Sequence, residues 1–376
     1  MFFACFLFRP GMIYYVKNQG DADETMKRTI AALLGALLLF CLCPRARGEA
    51  VVPIGSREDM LRIQKDPAGS FELTADIDMG GEDWTPLPFS GELNGNGHTL
   101  YNLMVHAPGA EERITYDGNR KEYETVFGGL FSTAENAVIR DVNLVNAVVD
   151  IETDRHCFLG TLAGYAADAH ISGCSVTARD HLTISSVNAG IGGIVGFSVY
   201  TEITDCTVDA ELTFTDTDTE VLCESFVGGV YASGCGDVLD CTVRLWGFAE
   251  VYGYAHNGGA IGMIKLPRGS RRTCTLGRTT VDAKISFFEI TPSRRAYCDP
   301  LIGENLAHNC YVTRNTVLSF VRSESRTPVR LAPETCDEPA YVSEVTPGDG
   351  TVWGYTTYTC TGCGYSYRDR YTPPVG

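Results

Sequence analysis

Ile191-Gly-Gly-Ile-Val-Gly-Phe-Ser-Val-Tyr-Thr-Glu-Ile-Thr-Asp-Cys-Thr-Val208 decides the fold, because the chain says nearly the same thing four times. Phe127-Gly128-Gly129, Leu159-Gly160-Thr161, Ile191-Gly192-Gly193 and Val227-Gly228-Gly229 each open a unit. Each unit then reaches an apolar residue: Ile139, Ile171, Ile203 or Val238. Three residues on stands Val142, Cys174, Cys206 or Cys241, and two further Leu144, Val176, Val208 or Val243. The opening glycines lie 32, 32 and 36 residues apart. A fixed period of this size marks a repeat architecture, in which no unit buries its own apolar face and each is completed by its neighbours.

The offsets within a unit give the path of the chain. Cys174 and Val176 share a parity and face one way on a strand, whereas Ile171 has the opposite parity. All three point inward only if the chain turns a corner between them. The residue before the Cys position is Asp141, Gly173, Asp205 or Asp240, types that tolerate tight corners. The glycine-rich opening supplies a further strand where backbones approach closely. Three short strands and their corners in about 32 residues describe one circuit of a right-handed, single-stranded parallel β-helix, an all-β solenoid. Helical readings fail, since apolar residues do not recur at 3.6 and β-branched residues dominate. The inward ladder is then Ile139, Val142, Ile171, Cys174, Ile203, Cys206, Val238 and Cys241.

Gly160-Thr-Leu-Ala-Gly164 and Gly192-Gly-Ile-Val-Gly196 resemble the GLUG motif of bacterial surface and secreted proteins. Phe89-Ser-Gly-Glu-Leu-Asn-Gly-Asn-Gly-His-Thr-Leu100 resembles the lead-in that precedes such repeats. The resemblance covers roughly 54–320. It implies a β-helix and an extracytoplasmic setting, and says little of activity, since such repeats accompany adhesins, uncharacterised surface proteins and some large proteases.

The flanks are read against this centre. Ile30 to Cys43 is an apolar run preceded by Lys27-Arg28 and followed by small-residue cleavage options, so 26–50 reads as a signal peptide, too short for a membrane span. Met26 sits where such a segment begins, which makes 1–25 an upstream extension. The chain carries 30 Lys+Arg against 47 Asp+Glu. Removing the six basic and three acidic residues of 1–48 leaves 24 against 44, a balance of −20 that argues against nucleic acid and anionic membranes as partners. Ser56 to Gln64 reads as a short helix, Ser56 its N-cap and Asp59 at N3, covering the first circuit with Met60 and Ile63. Phe71 to Asp78 alternates as a strand, Asn94-Gly95-Asn96-Gly97 is a tight turn with His98 in a structural role, and 107–124 is a polar insertion. A fifth unit opens at Gly258-Gly259 and reaches Leu276 after about seven inserted residues, including 267–272. A sixth reads Gly303, Val312, Asn315, Val317. Six circuits stacked at ~4.8 Å make a rod of about 29 Å. The polar excursions 149–156, 178–188 and 210–224 are expected as loops on one flank, where repeat proteins place binding surfaces. The β-helix is expected over 51–327, and 328–376 as a linker plus a small module that resembles Cys-stapled modules of Gram-positive surface proteins.

Few constellations carry chemistry. Fifteen cysteines look like a disulfide protein, but three lie in the leader. Cys174, Cys206 and Cys241 read as a ladder of buried free thiols, while Cys223 and Cys235 are the better disulfide candidates. Cys360-x-x-Cys363 with Cys336 offers three ligands of a structural zinc site without a fourth, or a disulfide. Asp216, Asp218 and Glu220 share one face of an extended segment and offer calcium a site, or form a solvated loop. Trp246, Phe248, Tyr252 and Tyr254 form the densest aromatic patch, suited to stacking on sugars or to packing between circuits. A β-helix lyase or hydrolase needs clustered acids with a Lys or Arg on one sheet, and the sequence displays none plainly. No zinc-protease, phosphate-loop or nucleophile motif is present, so no catalytic residue is assigned. The reading is a monomeric, exported, cell-surface or secreted rod that binds a glycan or a protein. The alternatives are a carbohydrate-active enzyme, either polysaccharide lyase or glycoside hydrolase, and a passive spacer in a surface assembly.

Overall fold

The computed structural model describes 51–372 apart from 81, 110, 115–122, 186–187, 218–223, 252, 268, 290–295, 308, 326–340, 348–353 and 361–365. The leader, with its signal-peptide and start-site expectations, lies outside these residues.

The chain winds as a parallel β-solenoid whose circuit has three faces. The glycine face stacks Tyr123–Gly128, His156–Gly160, Asn188–Gly192, Glu224–Gly228, Tyr254–Gly258 and Ala296–Asp299, which mark five circuits from first to last. The split face follows, bent in its middle, as in Ala163–Ala167 and His170–Ser172 or, unbroken, Val195–Thr204. The long face closes the circuit with Asn143–Thr153, Ser175–Ile184, Thr207–Asp216, Thr242–Val251, Thr280–Glu289 and Thr316–Ser325.

Register is kept along one inward line of the split face, although bulges interrupt it elsewhere at 131–133 and 199–201. Val52, Phe71, Leu93, Ile139, Ile171, Ile203, Val238, Leu276 and Val312 are successive partners in one line, with every member from Phe71 to Leu276 buried. A parallel line of Leu100, Leu144, Val176, Val208, Val243, Val281 and Val317 runs inside the long face. The corner between the two lines is a single left-handed residue: Asp141, Gly173, Asp205, Asp240, Arg278 and Arg314 have φ of 54°, 62°, 53°, 57°, 52° and 56°. Asp and Gly adopt this region at little cost. The residue after the corner turns a donor back toward the chain. The Sγ of Cys174, Cys206 and Cys241 donates to the carbonyls of Ser172, Thr204 and Leu239 at 3.4, 3.2 and 3.3 Å. Thr279 does the same to Gly277, at 3.2 Å. The thiols are free and buried, so they fill space and also satisfy a corner carbonyl. The thiol contact with Cys174 and burial raise the pKa of Cys206, and the contact with Cys206 and burial raise that of Cys241.

The glycine face packs differently from the other two. Its strands are buried on both sides, so apolar residues do not alternate there. Its inner side joins the main core. Its outer side folds onto the split face and builds a second core from Phe127, Phe158, Phe197, Phe226, Ala232 and Met263. Phe158 lies edge-on to Phe197 with ring centroids 5.0 Å apart, and His256 continues the stack between Phe226 and Tyr297. Burial, with Lys265 nearby, holds the His256 pKa down at about 4, so the ring stacks neutral. The two faces meet backbone to backbone. A Cβ on Gly196 would stand 2.5 Å from the Gly164 carbonyl oxygen and 2.8 Å from the Leu159 nitrogen.

Several expectations need correction. The helix over 56–64 is two short turns, Arg57–Met60 and Arg62–Lys65, with Ser56 accepting from the Asp59 amide at 3.2 Å and Asp59 accepting from Gly55. It does bury Met60 and Ile63 over the first circuit. The segment 71–78 is two strands on different faces, Ser70–Leu73 and Ile77–Asp78. Asn94–Gly97 is the tight turn expected, placed at a corner between two parallel sheets, with Asn96 at φ 51°. The insertion 107–124 contains Glu111–Ile114, antiparallel to Tyr123–Gly128 at the edge of the glycine face. The polar excursions are largely strand: inward Leu182, Ile184, Leu212 and Phe214 alternate with polar residues and extend the long face, leaving short connections. The sixth circuit opens at Asp299-Pro300, which pairs with Gly258, whereas Gly303 follows Ile302, the partner of Ile261. Beyond the solenoid, Tyr341–Thr346, Gly354–Cys360 and Ser366–Thr372 form an antiparallel three-stranded sheet.

Candidate binding face

The long face is built of strands ten or eleven residues long, and from Ser175–Ile184 to Thr280–Glu289 their pairing runs without a shift of register. Its outward positions form straight lines. Nearest the corner run Thr99, Asn143, Ser175, Thr207, Thr242, Thr280 and Thr316, a ladder of hydroxyls broken by a single amide. Two residues further, Asp209, Arg244 and Asp282 are partners on adjacent strands. Two further still come Glu211, Trp246 and Lys284.

Trp246 stands at the middle of this field and is 57% exposed. Lys284 Nζ lies 5.6 Å from its ring centroid, a cation–π contact that holds one edge of the indole. Arg244 Nη1 bonds Asp209 Oδ2 at 3.0 Å, and the Ser319 hydroxyl donates to Asp282. Arg179 Nε approaches Glu211 at 3.7 Å. These pairs are exposed, so each adds about 0–1 kcal/mol to stability. Their consequence is positional: an apolar ring is ringed by charges of both signs whose side chains are already oriented. Such a surface can stack on a pyranose ring and hydrogen-bond its hydroxyls, or seat a peptide carrying mixed charge.

The four aromatics named from the sequence do not form one surface. Phe248 shares Trp246's outward parity but is buried, so it offers no ring to solvent. Tyr254 belongs to the glycine face and is half-buried. Tyr252 lies outside the described residues. Trp246 gains instead Glu211 and Lys284, which lie 35 and 38 positions away and become neighbours only through the register.

Other candidate ligands fare variously. Asp216 is buried at the end of the long face, in register with Ile184, while Asp218 and Glu220 lie outside the described residues. Cys336 and Cys363 also lie outside them, and of Cys360 only the strand it ends is described. Among the described residues no three His, Cys, Asp or Glu side chains are grouped to hold a metal ion. Cys235, expected in a loop disulfide, is a free thiol buried at the bend of the split face, with its pKa raised by burial to about 11; Cys223 is not described. Among the described residues no helix is long and apolar enough to cross a membrane.

One buried carboxyl was not visible in the sequence. Asp180 sits on an inward position of the long face, in register with Leu212. Thr161 Oγ1 donates to its Oδ2 at 2.5 Å and the Val149 amide to its Oδ1 at 3.0 Å. Thr161 occupies the second position of the opening pair, which is glycine in the flanking units. Burial raises the Asp180 pKa to about 7, against the pull of those two hydrogen bonds.

Comparison with known proteins bears on the architecture. Halomucin of Haloquadratum walsbyi is 30% identical over 173 residues, which span 40% of this chain and 2% of that protein. A solved IgA1 protease chain superposes with a TM-score of 0.41 at 12% identity, over 76% of this chain and 21% of that one. The chain thus spans a small part of either protein's length. Residues 187–215 match the family model described as the GLUG motif. That span takes in Asn188–Gly192, Val195–Thr204 and nearly all of Thr207–Asp216. The match covers all three faces of one circuit, short of its closing connection.

Proposed function

We propose that this protein is an exported surface or secreted rod whose long face binds a glycan or a protein, with Trp246 as the anchor. The observation that carries the reading is Trp246 itself: a 57% exposed indole, held by Lys284 among Glu211, Arg244 and Asp209, beside a line of hydroxyls on the same sheet. Tryptophan is the residue type most often found as the anchor of a binding surface, and oriented polar partners around it suit that role. Export is supported by the apolar run 30–43 behind Lys27-Arg28. The test is retention of the purified chain on glycan and extracellular-protein arrays. Trp246→Ala should lower retention at least about tenfold, the order expected of an aromatic anchor, while leaving the melting temperature unchanged. Equal retention by both proteins would refute the role given to Trp246.

The enzymatic alternative gains one specific point. Asp209, Arg244 and Asp282 place two carboxylates and a guanidinium on adjacent strands, the kind of juxtaposition that glycan cleavage uses. Incubation with acidic and neutral polysaccharides, scored for reducing ends and unsaturated products, separates the two. Product formation abolished by Asp282→Asn would favour the enzyme, and retention without turnover the binding module.

A further inference from the structure

The sixth circuit is the weak end of the solenoid. The two inward lines finish there at Val312 and Val317, 46% and 41% exposed, although their partners one circuit earlier, Leu276 and Val281, are fully buried. Leu306, Tyr311, Leu318 and Val321 of the same circuit are also exposed. Backbone pairing carries much of the burden of keeping this circuit in place, and the last strands of a sheet fray first.

Two thiols lie at this junction. Cys274 begins the strand Cys274–Gly277 and Cys310 begins Cys310–Thr313; the strands are parallel neighbours and the two cysteines are register partners. Adjacent strands put such partners about 4.8 Å apart at Cα, inside the 4.4–6.8 Å that a disulfide spans. Each corner thiol has a carbonyl of its own circuit at 3.2–3.4 Å and one of the circuit before at 3.7–3.9 Å. Cys274 Sγ is directed toward the circuit that follows, 4.0 Å from the carbonyl of Asn309, the residue before Cys310. Cys274 is fully buried and Cys310 is partly open to solvent.

We infer that Cys274 and Cys310 are a disulfide-forming pair that staples the fifth circuit to the sixth. The hydrogen bond between the two thiols raises the pKa of Cys274 and lowers that of Cys310, which makes Cys310 the attacking group. The oxidant is a small-molecule or protein disulfide. Cys310 loses its proton, and its sulfur attacks one sulfur of the oxidant, expelling the other as a thiol. Cys274 then loses its proton and attacks the Cys310 sulfur, expelling the second thiol. One S–S bond is made and one broken, and the oxidant is reduced to two thiols. The closed loop is long, since Cys310 follows Cys274 by 36 residues, and a long loop is where a cross-link restricts the unfolded chain most.

The experiment takes the full chain, reduced, and incubates it with oxidised glutathione. Remaining thiols are alkylated, the protein is digested without reduction, and peptides are identified by mass. The expected result is one dominant cross-linked peptide joining Cys274 to Cys310. It should be accompanied by a urea midpoint above that of the reduced protein. Cys310→Ser, at a partly exposed site, should fold, lack the cross-link and lose the redox dependence of the midpoint. Both thiols alkylated after oxidation, Cys274 joined to another cysteine, or Cys310 found capped by glutathione would each overturn the pairing. A cross-link that left the midpoint where it was would overturn the staple.

Discussion

Asp180→Asn should make this protein more stable, and more so the higher the pH. The Asp180 carboxyl is buried among apolar neighbours, and its pKa is about 7 in the fold against 3.8 when exposed. An acid whose folded pKa is raised binds a proton in the native state that the unfolded state has already released. Stability from this group is therefore greatest below pH 4. It falls as pH rises from about 4 to about 7, and is level above that. A shift of roughly three units corresponds to about 4 kcal/mol across the window, and to about 3 kcal/mol between pH 5 and pH 8. Asparagine imitates the protonated acid: its oxygen can accept from the Val149 amide, and its NH₂ can face the Thr161 hydroxyl. The variant and the parent should then have similar urea midpoints near pH 4. They should separate progressively up to pH 7, with the variant ahead by about 3–4 kcal/mol at pH 8. A gap between the two that did not change with pH would refute the reasoning, since it would mean the carboxyl is ionised in the fold throughout.

Two more changes probe the packing. Ile203→Asp puts a charge in the centre of the inward line and should cost on the order of 3–5 kcal/mol by thermal melting, whereas Val312→Asp, in the same line but 46% exposed, should cost under about 1 kcal/mol. Gly196→Ala should destabilise by several kcal/mol, because its methyl would lie 2.5 Å from the Gly164 carbonyl oxygen; Gly247→Ala meets nothing nearer than 3.5 Å and should be neutral or add up to about 1 kcal/mol, which paired urea titrations will show.

The coil was legible because its inward positions repeat with a corner of fixed chemistry. Asp141, Gly173, Asp205 and Asp240 resolve a conflict of parity that no straight strand could, and their left-handed φ values are the physical form of that resolution. The glycine face was less legible. Period-two alternation reports a strand with one wet side, and strands such as Glu224–Gly228 have none, so the second aromatic core at Phe158, Phe197 and Phe226 left no periodic trace. The long strands were mistaken for loops because Thr and Asp residues outnumber the inward Leu212 and Phe214 that hold them. Trp246 was readable as a candidate, but not its partners Glu211 and Lys284, which are local only in space. Thr161 and Asp180 were unreadable singly, since each breaks its column's pattern and only together do they make chemical sense.

The register of the inward lines has a bearing on how such a protein can vary. Phe131, Ala163 and Val195 are successive partners exactly one 32-residue circuit apart. Excising 163–194 would join Leu162 to Val195 and set each following strand on a new neighbour with its inside still inside. Losing a single residue from the same stretch would flip a strand and turn its oily side out. Within its strands this molecule is therefore quantised: they come and go by whole storeys, while connections such as 267–272 take up any odd length.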